Sequence, residues 1–267
     1  LSRPPPKAPS RIFGNKVRPA PIILRLKKGR EKSVLRRHPW IFSGAIDAER
    51  ASEDTGTISG PWVQVRDAAG SVLGFGHYSS QSQIRVRLWG FGAELPDVST
   101  VLRDRLATAR HRRAPLMEKT DAVRYVNSEG DFLPGIILDK YAGTLVLQLL
   151  SEGVERIRGQ IVDAIRSVFS EPALVEKSVG RKDEGLADRI EIVFGRIPDP
   201  DRYVTDIHSW GRQYRAPIRE GHKTGWYLDQ RRNIQLLAEF CPQPAERSGH
   251  PGRMLDLFCY GGAFGTH

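Results

Sequence analysis

Met254-Leu255-Asp256-Leu257-Phe258-Cys259-Tyr260-Gly261-Gly262-Ala263-Phe264 decides how this chain is read: a short apolar run, two adjacent glycines, then the expected start of a helix. In open α/β sheets ligands bind beyond the carboxyl ends of the strands, where a glycine-bearing turn lets the backbone come close to them. Asp256 lies inside the apolar run, and a carboxylate is costly there unless it binds something. A parallel strand needs a crossover and a neighbour, yet His267 follows Phe264 by only three residues. The expectation is a truncated enzyme, whose last domain opens with this strand.

Working outward, Gly221-His222-Lys223-Thr224-Gly225-Trp226-Tyr227-Leu228-Asp229-Gln230-Arg231 precedes that run. The terminal turn resembles motif I of class I S-adenosylmethionine (SAM) methyltransferases. Taken with the Lys-Thr-Gly…Asp-Gln-Arg block, it resembles the RlmI-type ribosomal RNA cytosine-5 methyltransferases, and the likeness extends from residue 22 to the end. That resemblance implies a fold class of α+β and α/β: a small PUA β-barrel, a middle α+β domain, and the first strand of a truncated Rossmann-like methyltransferase domain. The boundaries expected are a disordered basic arm over 1–21, the PUA barrel over 22–95 and a linker helix over 96–117. The middle domain follows over 118–200, and then 201–267 for a hairpin, the SAM-lid segment and the opening of the methyltransferase domain.

The cofactor implied is SAM. By the resemblance Asp256 lies near its methionine amine, Phe258, Tyr260 and Gly262 form the turn that shapes the pocket, and Lys223, Thr224, Tyr227 and Gln230 belong to a lid over it. Gly262 has a physical reason to be glycine, since a Cβ could block close backbone approach. For Trp226 and Tyr227 ordinary core packing is an equal alternative, and for Lys223 and Gln230 a solvated helix start. Lys-Thr-Gly and Asp-Gln-Arg occurring together favour function at the latter pair.

Forty-one Lys and Arg against 31 Asp and Glu give a net charge of +10, which favours an anionic partner, nucleic acid being the commonest. A merely basic protein would look the same. Two cysteines, Cys241 and Cys259, make neither a disulfide framework nor a metal set, so a reducing, cytoplasmic compartment is expected. No run approaches the ~18 apolar residues of a membrane span. Residues 1–30 hold nine Lys or Arg, no acid and six prolines. A transit peptide and a disordered basic arm both fit, and the prolines favour the arm.

From Ile22 short strands begin. Residues 84–89 alternate most clearly, with Ile84, Val86 and Leu88 on one face and Arg85, Arg87 and Trp89 on the other, the pattern of a half-buried antiparallel strand. The PUA resemblance implies RNA binding. Its solvent face is expected to carry Arg85 and Arg87, with Arg36, Arg37 and His38 nearby, because a guanidinium both pairs with phosphate and stacks on bases. A solvated basic face is the plain alternative.

Beyond Pro96, Ser99 is expected to cap a helix ending at Arg110-His111-Arg112-Arg113, whose cations suit the negative helix end whether or not RNA is near. Residues 144–177 have the outline of a β-α-β unit, with one amphipathic helix over 154–169. Glu129 and Asp131 flank a glycine and read as turn residues rather than metal ligands. Residues 203–210 and 213–218 read as a hairpin, followed by a helix from Asp229 to Cys241.

Methylation at cytosine C5 needs a thiolate that adds to C6, on a base held out of its stack. In the family that cysteine lies beyond motif I, so Cys259 is expected to be a small buried hydrophobe and residues 1–267 alone to be inactive. The partner implied is large-subunit ribosomal RNA, with no membrane and with homodimerisation left open. Two other readings compete: a non-catalytic PUA-type RNA-binding protein, and a dinucleotide-dependent oxidoreductase. Against the latter, the turn lacks Gly-x-Gly-x-x-Gly.

Overall fold

The computed structural model describes residues 22–47, 62–93, 97–240, 255–257 and 259–264. The predicted basic arm, Pro96, Cys241, Phe258 and His267 lie outside the described residues.

Strands β1 (Ile22–Arg25), β2 (Trp40–Phe42), β3 (Val63–Arg66), β4 (Val72–Tyr78) and β5 (Ile84–Phe91) form a sheet in the order β1-β3-β4-β5-β2, with the single-turn helix α1 (Lys32–Leu35) between β1 and β2. Amides of Lys27 and Asp47 donate to the carbonyls of Ala45 (3.0 Å) and Arg25 (2.9 Å), joining the two sheet edges and closing the barrel. Leu24, Leu26, Ile41, Val63, Val65 and Val86 fill it. Val63 and Val65 lie inward at the period of two that their spacing predicts.

The other face of β5 is not a solvent face. Trp89 is 2% exposed and joins Trp62 and Phe75 in the core of the next domain, while Arg85 and Arg87 on the same strand stay half-buried. Alternation marks two faces but does not say that water covers the second one. Close approach here demands glycine: a Cβ on Gly153 would sit 2.2 Å from the Cβ of His77.

Helix α2 (Val98–Arg113) is capped by Asp97 rather than Ser99, its Oδ2 accepting from the Thr100 amide at 2.9 Å. It is no free-standing linker, because Leu102 and Leu106 are fully buried in the second core. Strands β6 (Ala122–Asn127), β7 (Ile136–Tyr141) and β8 (Thr144–Leu149) make an antiparallel meander. Two helices follow, α3 (Glu152–Arg156) and α4 (Arg158–Val168), where the sequence predicts one; the break is Ile157, whose ψ is 18°. Strand β9 (Ala173–Ser178) then pairs parallel with β8, which is the expected β-α-β unit, and β10 (Arg189–Phe194) closes the sheet antiparallel.

Alternation along these strands buries both faces. Leu145, Leu147 and Leu149 of β8 face α2 and α4, while Val146 packs with Tyr141, Ala173 and Val175 on the opposite side. That opposite side is covered by the hairpin β11 (Val204–Ser209) and β12 (Arg212–Pro217), through Ile207, Tyr214 and Ala216, and by Ile218, Trp226 and Leu228 of the segment after it. Each such fully buried aliphatic side chain contributes about 1.5–3 kcal/mol. The segment expected to cover a cofactor is therefore laid on a rigid floor. Helix α5 (Arg231–Phe240) follows it, starting two residues after the predicted Asp229; its predicted end, Cys241, lies outside the described residues.

Residues 255–257 and 259–264 are irregular and turn-like, and no sheet among the described residues includes them. The predicted strand is thus corrected. An apolar run becomes a strand only when neighbouring strands take up its backbone groups, and none of the twelve described strands does so. No helix among the described residues is long and apolar enough to cross a membrane.

Candidate functional site

A cleft of about 600 Å³ opens between the segment after β12 and the double-glycine turn. His222, Trp226, Tyr227 and Gln230 line one side with Ile234 of α5, and Cys259, Tyr260, Gly261, Ala263 and Phe264 line the other. Tyr260 joins the two sides. Its hydroxyl accepts from the His222 amide (2.9 Å) and donates to the Gly225 carbonyl (3.2 Å), and its ring stacks on His222 with centroids 5.1 Å apart. The Tyr227 ring meets Tyr260 edge-on at 5.1 Å, and its hydroxyl lies 2.7 Å from His222 Nδ1. Lys223 and Tyr260 hold left-handed backbone, φ 54° and 47°, where non-glycine residues are uncommon and cluster at ligand sites.

Of the residues anticipated for the cofactor, the structure brings Tyr227, Gln230 and Tyr260 to the cleft. Lys223 lies beside it, its Nζ 3.0 Å from both Asp229 oxygens and 4.8 Å from the Tyr227 ring centre. Burial is the largest single influence on the Asp229 carboxyl and raises it, but the Lys223 hydrogen bond and charge, its own backbone amide and Gln230 together leave the net shift downward. Thr224 does not reach the cleft. It is fully buried, its hydroxyl shared between Tyr141 (2.7 Å) and Asp139. Asp256 is not a lining residue either, but its Oδ2 is buried without a partner among the described residues.

The position of close approach is one residue before the expected Gly262. Gly262 needs glycine for its φ of +71°, and a Cβ there would meet open space. Gly261 is the position of close approach, since its Cβ would fall 2.4 Å from the Trp226 ring. Cys259 is exposed, contrary to the buried hydrophobe expected. His222, Trp226, Ile234, Gly261, Ala263 and Phe264 line the cleft without a sequence-based assignment to it; the signal for His222 is its place inside the 221–231 block.

The floor beneath the cleft is polar in a way the strands' apolar pattern hides. Asp139 and Tyr141 alternate onto the same face of β7. Arg124 donates to both Asp139 oxygens (2.8 and 2.9 Å), and the Asp139 hydrogen bond holds that guanidinium above its ordinary range. Burial pushes the Tyr141 phenol up. Lys177 of β9 is buried and donates to the carbonyls of Ile218 (2.7 Å) and Gly221 (2.5 Å), and burial pulls its ammonium down. The 221–231 segment is thereby fastened to the sheet near its start, at Gly221 and Thr224.

In the barrel, Arg36, Arg37 and His38 are exposed. Arg85 donates to the Ser79 and Ser80 carbonyls, and Arg87 pairs with Glu184 at 2.7 Å across the domain boundary, only 12% of its side chain exposed. Arg87 is therefore occupied within the protein. Glu129 accepts from Trp40 Nε1 (2.8 Å), and Asp131 takes Arg113 and the Asn127 amide, so both acids are structural. No group of His, Cys, Asp and Glu able to hold a metal occurs among the described residues.

Residues 24–91 match the family model for a PUA-like domain. The chain is 38% identical over 246 residues to the ribosomal RNA large subunit methyltransferase I of Tolumonas auensis, and 38% over 247 residues to that of Aeromonas hydrophila subsp. hydrophila. Each alignment covers 91% of this chain and 58% of the relative. This chain is a relative of the RlmI-type methyltransferases. It spans 58% of the length of those relatives. Solved structures agree on the fold: a methyltransferase complexed with SAH superposes with a TM-score of 0.71 at 23% identity, covering 91% of this chain and 58% of that one. A second, assigned as a SAM-dependent methyltransferase from Streptococcus mutans, gives 0.66 at 23%, covering 81% and 54%.

With the RlmI-type likeness in place, Gly261 yields an expected result. Gly261→Ala drives a methyl toward Trp226 and narrows the cleft, so cofactor affinity should fall by about tenfold or more with little change in thermal midpoint. Isothermal calorimetry on the full-length protein checks it; wild-type affinity would show that Trp226 swings away freely.

Proposed function

We propose that this chain belongs to a SAM-dependent methyltransferase acting on ribosomal RNA, with 5-methylcytosine in the large subunit as its product and the cytoplasm as its place of action. The observation that carries the reading is the aromatic-walled cleft between the Lys-Thr-Gly…Asp-Gln-Arg segment and the double-glycine turn. The residues present fit the cofactor. A volume of about 600 Å³ is that of a small-molecule site, the Tyr227 and Tyr260 rings offer flat apolar walls, and the buried, unpartnered Asp256 oxygen suits an ammonium. Gly261 lets the turn lie directly against the Trp226 ring, which sets the spacing of the two walls.

Bound SAM supplies an electrophilic methyl on a sulfonium. What this chain contributes is position, since fixed geometry can lower a barrier by about 7–11 kcal/mol. Tyr260 ties the turn to the segment opposite, Lys177 and the Asp139–Thr224 contact hold that segment to the sheet, and the rings of Tyr227 and Trp226 exclude water. Gln230 and Lys223 supply polar atoms at the rim. The PUA-like barrel is assigned the RNA, through the exposed Arg36, Arg37 and His38. Residues 1–267 by themselves are expected to bind RNA without transferring a methyl group, because the resemblance sets the attacking cysteine beyond motif I.

The test is transfer of labelled methyl from SAM to large-subunit RNA by the full-length protein, followed by nucleoside mass spectrometry. Label in 5-methylcytidine is expected. Another methylated nucleoside would overturn the product, and failure to bind SAM would overturn the enzyme reading in favour of an RNA-binding protein.

A further inference from the structure

A second cleft, of about 370 Å³, borders the Asp-Gln-Arg sequence at Asp229 and Arg231. Arg113, Arg124, Lys223 and Arg231 line it, with Asn127 and Asp229. Three of these cations are matched by acids. Arg113 donates to Asp131 (2.5 and 2.7 Å), Arg124 to Asp139, and Lys223 to Asp229. Among the described residues Arg231 makes no ion pair; the charge of Asp139, already paired with Arg124, reaches it only at longer range. Its Nε donates to the Leu228 carbonyl at 3.0 Å, and its Nη1 is buried with no partner among the described residues. A buried guanidinium N–H left unmet is costly, and in a native structure it marks an absent ligand or a strain.

Two further features give the cleft its sign. Arg231 is the first residue of α5, a ten-residue helix, so the free amides and positive dipole end of that helix lie beside it. The wall opposite is Arg113, in the last turn of α2. The charges at the cleft are positive in excess, and the ligand that meets a guanidinium fork and a helix start together is an oxyanion.

We infer that this cleft binds a phosphate of the RNA backbone, with Arg231 as its principal contact. The inference rests on the RNA-substrate reading given above. It makes this cleft a continuation of the RNA path from the PUA-like barrel past the cofactor cleft, whose Gln230 is the neighbour of Arg231. A backbone contact at this place would hold the strand in register beside the reacting base without reading its sequence.

The experiment measures binding of a short fluorescein-labelled oligoribonucleotide to the full-length protein across a salt series, alongside SAM binding by calorimetry. Arg231→Gln is expected to weaken RNA binding on the order of tenfold and to make the log–log salt slope shallower by about one. SAM affinity should stay within about twofold. Asn127→Asp, an isosteric change at an exposed lining residue, should weaken RNA binding in the same direction and decides the matter should Arg231→Gln fail to fold. Unchanged affinity and slope in both variants overturn the inference and leave the methyltransferase reading standing. Loss of SAM binding with RNA affinity intact also overturns it, by giving the oxyanion to the carboxylate of the methyl donor. A wild-type protein that binds no RNA sinks both.

Discussion

Asp139→Ala is expected to lower the unfolding free energy by about 3 kcal/mol, among the largest effects available to a single change in this chain. Asp139 is fully buried, takes two hydrogen bonds from Arg124 and one from the Thr224 hydroxyl, and lies under the segment that walls the cleft. Removing it strands the Arg124 guanidinium. That guanidinium is 28% exposed and recovers some hydration, so the expected loss sits at the low end of what breaking a buried pair costs, about 3–5 kcal/mol. Thr224→Val, which removes a hydroxyl and keeps the volume, should cost about 1–2 kcal/mol. The two changes should fall short of additive, since they share a contact. Urea denaturation of both variants and their combination checks this. An unaltered midpoint for Asp139→Ala would mean that the segment is held by apolar packing alone.

The pattern of these residues explains how much of the fold the sequence disclosed. Strands were legible where one face is apolar and the turn residues are explicit, as in 84–89 or in the hairpin around Gly211. The β-α-β crossover was legible from an amphipathic helix between two apolar runs, although Ile157 breaks that helix in two. What covers each face was not. The second face of β5 reads as arginine-bearing and wet, yet Trp89 and His77 turn it into a domain interface. A period of two fixes which residues share a face, and it carries no information about the layer above.

At the site, residues adjacent in sequence were easier to find than residues brought together by folding. The 221–231 block and the double glycine were visible as local anomalies, and the structure sets them across one cleft. Asp139 was overlooked inside Ile-Ile-Leu-Asp-Lys-Tyr, although a carboxylate in a central strand carries the same message that drew notice to Asp256. Glu176 and Lys177, both buried in β9, were passed over for the same reason. Thr224, read as a cofactor residue because of its place in a motif, is instead tied to the sheet. A motif marks where function gathers without dividing contact residues from those that position them.

The domain interface should lose stability on mild acidification, and His77 is the cause. Its ring lies 4.7 Å from the rings of both Trp62 and Trp89, and neither nitrogen has a partner among the described residues. Burial first, and the charge of Arg156 second, hold its pKa down at about 3 against an unfolded value of 6.5. The unfolded chain therefore takes up a proton as pH falls through 6.5 while the folded chain does not, until about pH 3. The stability tied to the neutral ring is fully present above pH 6.5 and drains away below it, by about 1.4 kcal/mol per pH unit at most. By about pH 5 that amounts to about 2 kcal/mol, and a protonated ring against tryptophan would recover a part of it. Carboxylates paired in the folded state lose their own share at lower pH, so the decisive quantity is a difference. In His77→Phe the slope of stability against pH between about 5 and 7 should flatten, whatever the variant's absolute stability. Thermal or urea unfolding across that range measures it. A variant with the wild-type slope would move the acid sensitivity to another group and leave His77 as packing alone.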